Sequence, residues 1–239
     1  MFNPQDAIAF NDSVHADLKK GGCWLADIDF VNAVSRGAAS REAFANWARQ
    51  FFCAIELLHK VAHSRPKLSS IGLDDPEFKR FFWENRVEEQ YGAISNTAGH
   101  LELLIQLIEA LGVPRIDTVS TRPNEHTRRL IAWAKQHVLA PEEYLTTQVS
   151  IGLLESMNPD ASLKLARGAM KHYGLSDMQV RFFTVHITAD ADHGEVALKM
   201  LALIPKERWE FIRQITLEQA GLMKAMWNSA LEQAAAVAA

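Results

Sequence analysis

Residues 180–203 read Val-Arg-Phe-Phe-Thr-Val-His-Ile-Thr-Ala-Asp-Ala-Asp-His-Gly-Glu-Val-Ala-Leu-Lys-Met-Leu-Ala-Leu, the pattern of a helix that carries its chemistry on one side. Phe182, Phe183, Val185, Val196, Met200 and Leu201 supply apolar surface, and Ser176-Asp177-Met178-Gln179 has capping-box spacing just ahead. At about 100° per residue, offsets of four and seven place His186, Asp190 and His193 within roughly 60° of arc. Two imidazoles and a carboxylate are the donor types of a metal site inside a helix bundle. Three such side chains also suit a solvated face, but the apolar neighbours leave little of this helix for water. Asp192, about 200° from Asp190, is expected outside.

Outward from this stretch the pattern stays helical. Phe44, Trp47, Ala48, Phe51, Ile55 and Leu58 follow i, i+3, i+4, i+7 spacing and predict a helix from about Ser40 to His63. Asp75-Pro76-Glu77 supplies a cap, a first-turn proline and an acid for a helix running to Tyr91. His100–Leu111 ends at Gly112 with Pro114 beyond, Pro141 starts another helix, and Pro205 opens the last. No stretch alternates apolar and polar residues with Val, Ile or Thr enrichment, so an all-α bundle is expected. Ser64–Asp75 and Leu111–Asn124 read as loops, too short and too little polar to be linkers. The whole of 1–239 therefore reads as one domain, with 1–26 as an N-terminal extension or helix and 235–239 as a tail.

Composition narrows the function. The 239 residues are 48% hydrophobic and 23% charged, with 25 basic and 29 acidic side chains for a net charge of −4, which excludes disorder and gives no electrostatic footprint for nucleic acid or anionic membrane. No 18-residue apolar run spans a bilayer. Two cysteines, Cys23 and Cys53, are too few for a disulfide framework, and the polar opening residues do not form a usual signal peptide, so a cytoplasmic location is expected. A small-molecule substrate is the expected partner.

Two further carboxylate and imidazole positions stand out. Glu88-Glu89 precedes Gly92-Ala93-Ile94-Ser95-Asn96-Thr97-Ala98-Gly99 and then His100. On one unbroken helix Glu89 and His100 share a face but lie about 16 Å apart. The glycine-bracketed spacer, poor in strong helix formers, predicts a break that brings them together. Surface charges at a helix end are the plainer reading. Glu155 arrives after the mostly apolar Ile151-Gly152-Leu153-Leu154, where a carboxylate is costly to bury unless paired, protonated or metal-bound; a helix-end salt bridge accounts for it equally. Three carboxylates against two divalent ions would leave the pair nearly neutral. Arg86 and Lys164 read as surface charges, and His59, His63, His126, His137 and His172 as helix-surface or supporting positions without converging partners.

The ordered set Asn85-Arg86-Val87-Glu88-Glu89-Gln90-Tyr91-Gly92, His100-Leu101-Glu102-Leu103, Ala110-Leu111-Gly112-Val113, Leu154-Glu155-Ser156 and His186-x3-Asp190-x2-His193 resembles the heme-oxygenase-like di-iron oxidases and oxygenases, with the TenA/PqqC-type proteins and the CADD-like group. Phe30–Gly37 followed by Ser40 and the aromatic helix resembles the opening of that fold. The resemblance extends from about Asp27 to the final helix. It implies a bundle of about seven helices and a buried di-metal site with Glu89, His100, Glu155, His186, Asp190 and His193 as ligands. It further implies two ferrous ions, with manganese and iron as a mixed alternative, O2 as co-substrate, and an amino-acid-like or fatty-acid-like substrate in a biosynthetic pathway. A homodimer and an external electron donor belong to the same expectation.

Departures from that pattern carry information. The Glu89–His100 spacer is longer than in the compact CADD-like pattern, which makes Glu88 the alternative ligand. Only three tyrosines are present and Phe51-Phe52 stand where tyrosines are expected, so members that consume their own tyrosine are a poor model. Other relatives supply competing readings. A cofactorless PqqC-like oxidase does not require the full carboxylate set. A TenA-like thiamin salvage hydrolase of the thiaminase type needs a nucleophilic cysteine in the pocket, whereas both cysteines lie in the first quarter of the chain. Heme oxygenase chemistry would call on His15. A helical interaction protein without chemistry is the non-enzymatic alternative.

Overall fold

The computed structural model describes residues 4–62 and 75–238, and the side chains of these except 57–62, 141, 191–192 and 233–238. Within them lie α1 (Pro4–Lys20), α2 (Asp29–Ser35), α3 (Arg41–Ala62), α4 (Pro76–Tyr91), α5 (His100–Ala110), α6 (Arg115–Val119), α7 (Glu125–Val138), α8 (Tyr144–Glu155), α9 (Asn158–Tyr173), α10 (Arg181–Leu201) and α11 (Trp209–Ala238). No strand occurs among the described residues, as expected. The expected loop through residue 74, His63 and the side chains of Leu58, His59 and Asp192 lie outside the described residues.

Helix boundaries follow the local chemistry. Asp75 caps α4 by accepting from the Glu77 amide, and Gly92 ends it at φ 62°, a left-handed conformation that favours glycine. The Ser40 hydroxyl accepts from Ala43 N, and Asn124 accepts from Thr127 N at the start of α7. Ser176 and Gln179 bond reciprocally, but the box closes a turn, and α10 begins at Arg181.

Among the described residues eleven helices stand where about seven were expected, because connecting segments fold too. Leu111–Asn124 contains α6, where the Thr118 and Thr121 hydroxyls donate back to the Pro114 and Asp117 carbonyls. The expected tail is helical to Ala238; its run of alanines is the best helix-forming composition available. The N-terminal stretch is part of the bundle, with the Phe10 ring tilted against Trp209 at 5.2 Å and Arg213 paired with Asp17.

The core centres on Trp47 of α3, fully buried. Its ring lies 5.1 Å from Phe30, 4.9 Å from Trp227 and 5.3 Å from Phe51, joining α2, α3 and α11; each such buried aromatic contributes about 1.5–3 kcal/mol. A smaller cluster of Trp133, Ala134, Val138 and Ile215 ties α7 to α11.

Helix α10 packs along α8 and α9. The α8–α10 crossing is unusually close: a Cβ on Gly152 would lie 2.6 Å from Ala197 Cβ, and one on Gly194 would lie 2.8 Å from Ser156 Cβ. Small residues let the two backbones meet, which sets the end of α8 beside the middle of α10. Among the described residues no helix is long and apolar enough to cross a membrane.

Candidate metal centre

The six candidate residues converge as two groups of three. Glu89, His100 and His186 form one; Glu155, Asp190 and His193 form the other. Within each group the nitrogen and oxygen donors all lie within 4.8 Å of one another. His186, Asp190 and His193 share one face of α10, as the spacing predicts.

The break after α4 creates the first group. A Cβ on Gly92 would lie 2.4 Å from Ala98 O, and one on Gly99 would lie 2.3 Å from Gln90 O, so the chain folds tightly back on the end of α4. His100 then starts α5 with Nδ1 2.9 Å from Glu89 Oε1. His186 comes across from α10, its ring 4.6 Å from that of His100.

Glu88 lies elsewhere than the alternative-ligand reading placed it. Its Oε2 accepts from the amides of Ile94 and Ser95 at 2.8 and 3.0 Å, and its Oε1 accepts from His100 Nε2 at 3.2 Å. It therefore secures the returning loop and holds the edge of the imidazole opposite Glu89. Burial raises the Glu88 carboxyl pKa, but the Ser95 hydroxyl, the two amides and His100 outweigh it and keep the group below the usual range.

The second group is built by the close crossing. Glu155, the last residue of α8, accepts from His193 Nδ1 at 2.9 Å, and Asp190 Oδ1 lies 3.6 Å from the same nitrogen. Asp190 is 2% exposed. Burial, then the Glu155 charge, raises its carboxyl well above the usual range, with His193 and an Asn158 hydrogen bond opposing. Burial lowers the His193 pKa, but Glu155 and Asp190 carry it up to about 9. In the same way Glu89 and then Glu88 overcome burial at His100 and raise it.

His186 behaves differently. Its Nδ1–H donates to the Phe182 carbonyl at 2.6 Å, and burial, then His100, push its pKa down to about 4. The neutral ring thus keeps an Nε2 lone pair, the form a metal ligand requires.

Two buried atoms test the site for a cation. His100 Nδ1 and Asp190 Oδ2 have no hydrogen-bond partner among the described residues, although His100 Nδ1 approaches the Glu89 carboxylate. A contact that is close yet unaligned is expected of two donors on one ion, since bonds of about 2.1 Å meeting near a right angle leave donors ~3 Å apart. Mixed imidazole and carboxylate donors suit iron and manganese. The residues fit the group.

Glu89, Glu155, His186, Asp190 and His193 line one cavity of about 220 Å3, walled by side chains that include Phe51, Phe81, Phe182 and Trp227. The reading of Arg86 and Lys164 as surface charges holds: Arg86 faces Gln90, and Lys164 donates to Ala26 O and lies 3.3 Å from Asp27. His137, expected without a converging partner, is buried and paired with Glu143 at 2.7 Å. The supporting roles of Glu88, the Phe182 carbonyl and Asn158 carry no spacing signal; the doubled glutamate was the one visible hint.

Fold and site together place the chain. It belongs to the iron-containing redox enzyme family, whose pattern matches residues 46–227, and it has the heme-oxygenase-like fold. It is similar to the 4-aminobenzoate synthase of Chlamydia pneumoniae, 22% identical over 207 residues that cover 84% of either chain. A CADD-like protein of Nostoc punctiforme superposes with a TM-score of 0.71 at 18% identity, over 96% of this chain and 98% of that one. A heme-oxygenase-like domain from Shewanella denitrificans gives 0.65 at 17% identity, over 96% and 90%.

Proposed function

We propose that the chain is an O2-dependent di-iron oxidase or oxygenase of an amino-acid-like or fatty-acid-like small molecule. The observation that carries this reading is the pair of three-donor groups meeting at one cavity. Glu89, His100 and His186 hold one metal; Glu155, Asp190 and His193 hold the other, with manganese an alternative occupant of one position. Ferrous ions bound there supply the electrons that reduce O2 as the substrate is oxidised.

The chain's own residues prepare the site. Glu88 keeps the His100 proton on Nε2 and frees Nδ1, and the Phe182 carbonyl keeps the His186 proton on Nδ1 and frees Nε2. With Glu88 the carboxylates number four, against four positive charges on two divalent ions. The aromatic walls exclude water from the reacting space.

An external substrate is favoured over an internal one. Tyr91 is exposed, the Tyr173 hydroxyl donates to Ala39 O, and none of the three tyrosines is among the described cavity-lining residues. Neither cysteine is among them either, which leaves the thiaminase-type hydrolase without support.

Anaerobic ferrous titration with metal counting, followed by O2 addition, tests the reading. About two irons per chain and iron-dependent O2 consumption are expected; no iron uptake together with no O2 consumption would overturn it in favour of a cofactorless reaction.

A further inference from the structure

The cavity that members of both donor groups line is small. Pockets that take drug-sized ligands run to about 300–1,000 Å3, whereas this one measures about 220 Å3. An apolar cavity of roughly 150 Å3 takes up benzene, so the same packing here encloses about nine non-hydrogen atoms. A long acyl chain exceeds that.

Helix α4 contributes to both donor groups in different ways. Phe81 lines the cavity together with Glu155, Asp190 and His193, and its ring lies 5.6 Å from the His193 ring, nearly perpendicular to it at 88°. The contact crosses between elements, because Glu155 ends α8 and Asp190 and His193 belong to α10. Glu89 follows about 12 Å further along α4 and serves the first group. One helix thus brings a carboxylate to one group and a bare hydrocarbon ring to the other.

Phe81 also stands apart from the other phenylalanines on this cavity. Phe182 and Phe183 belong to the main core, and Phe51 and Phe82 pack against it, whereas Phe81 is in neither set. It is half-buried, and its ring contacts among the described residues are Phe82 at 5.5 Å and His193. The Trp47 cluster therefore does not call for a ring at this position. What the ring does is fill space beside His193.

We infer that Phe81 is a specificity-determining residue that sets the size of the substrate: it occupies space beside the second donor group and limits the cavity to a compact apolar body of about nine non-hydrogen atoms, a ring or a short chain. The identity of the reacting end rests on the di-iron reading, within which this selects the amino-acid-like class over long fatty acids. The size limit itself does not depend on metal.

Binding of the 1-alkanols from 1-butanol to 1-dodecanol to the metal-free full chain tests this by calorimetry, with ferrous uptake and O2 consumption measured separately. Each added methylene is expected to tighten binding about fourfold as far as 1-octanol, after which affinity stops rising. Phe81→Ala opens space beside His193 and is expected to move that stop by about two or more methylenes; Phe81→Leu, which keeps more apolar bulk, is expected to move it less and is the second variant if Phe81→Ala fails to fold. Trp83→Ala removes an exposed ring from the same helix that is not among the described lining residues, and is expected to leave the stop in place.

Affinity that climbs without a stop through 1-dodecanol, a stop unmoved in both Phe81 variants, an equal movement in Trp83→Ala, or no binding of any alkanol overturns the inference. Uniformly weaker binding with the stop unmoved marks Phe81 as merely structural and overturns it too. Iron uptake and O2 consumption without a size limit sink this inference alone, and a size limit governed by Phe81 in a chain that takes up no iron sinks the di-iron reading alone.

Discussion

Glu88 Oε1 lies 3.2 Å from His100 Nε2, on the edge of the ring away from Glu89. Consecutive glutamates thus serve one histidine from two sides. Glu88→Gln keeps an oxygen for the Ile94 and Ser95 amides but withdraws the charge behind the imidazole. Ferrous affinity is expected to fall about 10–100-fold with little change in metal-free melting temperature, measured by competition with a chromophoric chelator. Unchanged affinity would remove Glu88 from the positioning role.

Asp190→Asn separates stability from function. It deletes a buried carboxyl held beside Glu155, so the metal-free melting temperature is expected to stay the same or rise. The stabilisation gained on iron loading, about 2.7 kcal/mol at a hundredfold excess over Kd for a single site, is expected to shrink, and O2-dependent turnover to drop at least ~100-fold. Full turnover in this variant would refute the ligand assignment.

The α8–α10 crossing is a mechanical requirement of the second group. Gly152→Ala forces its new methyl against Ala197, costing about 1–3 kcal/mol and lowering the melting temperature by roughly 2–4 °C per kcal/mol. As the helices part, Glu155 leaves His193, and the iron count is expected to fall from about two to about one per chain. Two tightly held irons would show that the crossing tolerates the methyl.

His15 gives a pH dependence. Its Nε2 lies 2.9 Å from Ser156 Oγ, whose hydroxyl donates to Leu153 O. Burial lowers its pKa from 6.5, opposed by a hydrogen bond to the Leu153 backbone carbonyl. A histidine with a lowered folded pKa contributes stability that is fully present above the unfolded value and is lost as pH falls through the folded one. Melting temperature is therefore expected to decline below pH ~6.5 more steeply in the wild type than in His15→Gln. Parallel curves would show that His15 titrates alike in both states.

Much of this was legible in residue order. The His186, Asp190 and His193 face follows from helical period alone, and the break between Glu89 and His100 follows from two glycines around a weak helix former. Periodicity names a face, though, and not what lies across from it. The Glu88 contact with His100 depends on how a loop returns, and the cavity on seven helices meeting. Within residues 111–124, the five residues of α6 are too few to show a helical period.

His100 and His186 are held by means of different mutability. His186 donates its Nδ1–H to a backbone carbonyl one turn earlier in its own helix, so no replacement of the Phe182 side chain deletes that acceptor. His100 depends on the carboxylate of Glu88, which a single codon change removes. Within the first group, one histidine is hard-wired into helical geometry and its neighbour is open to adjustment by mutation.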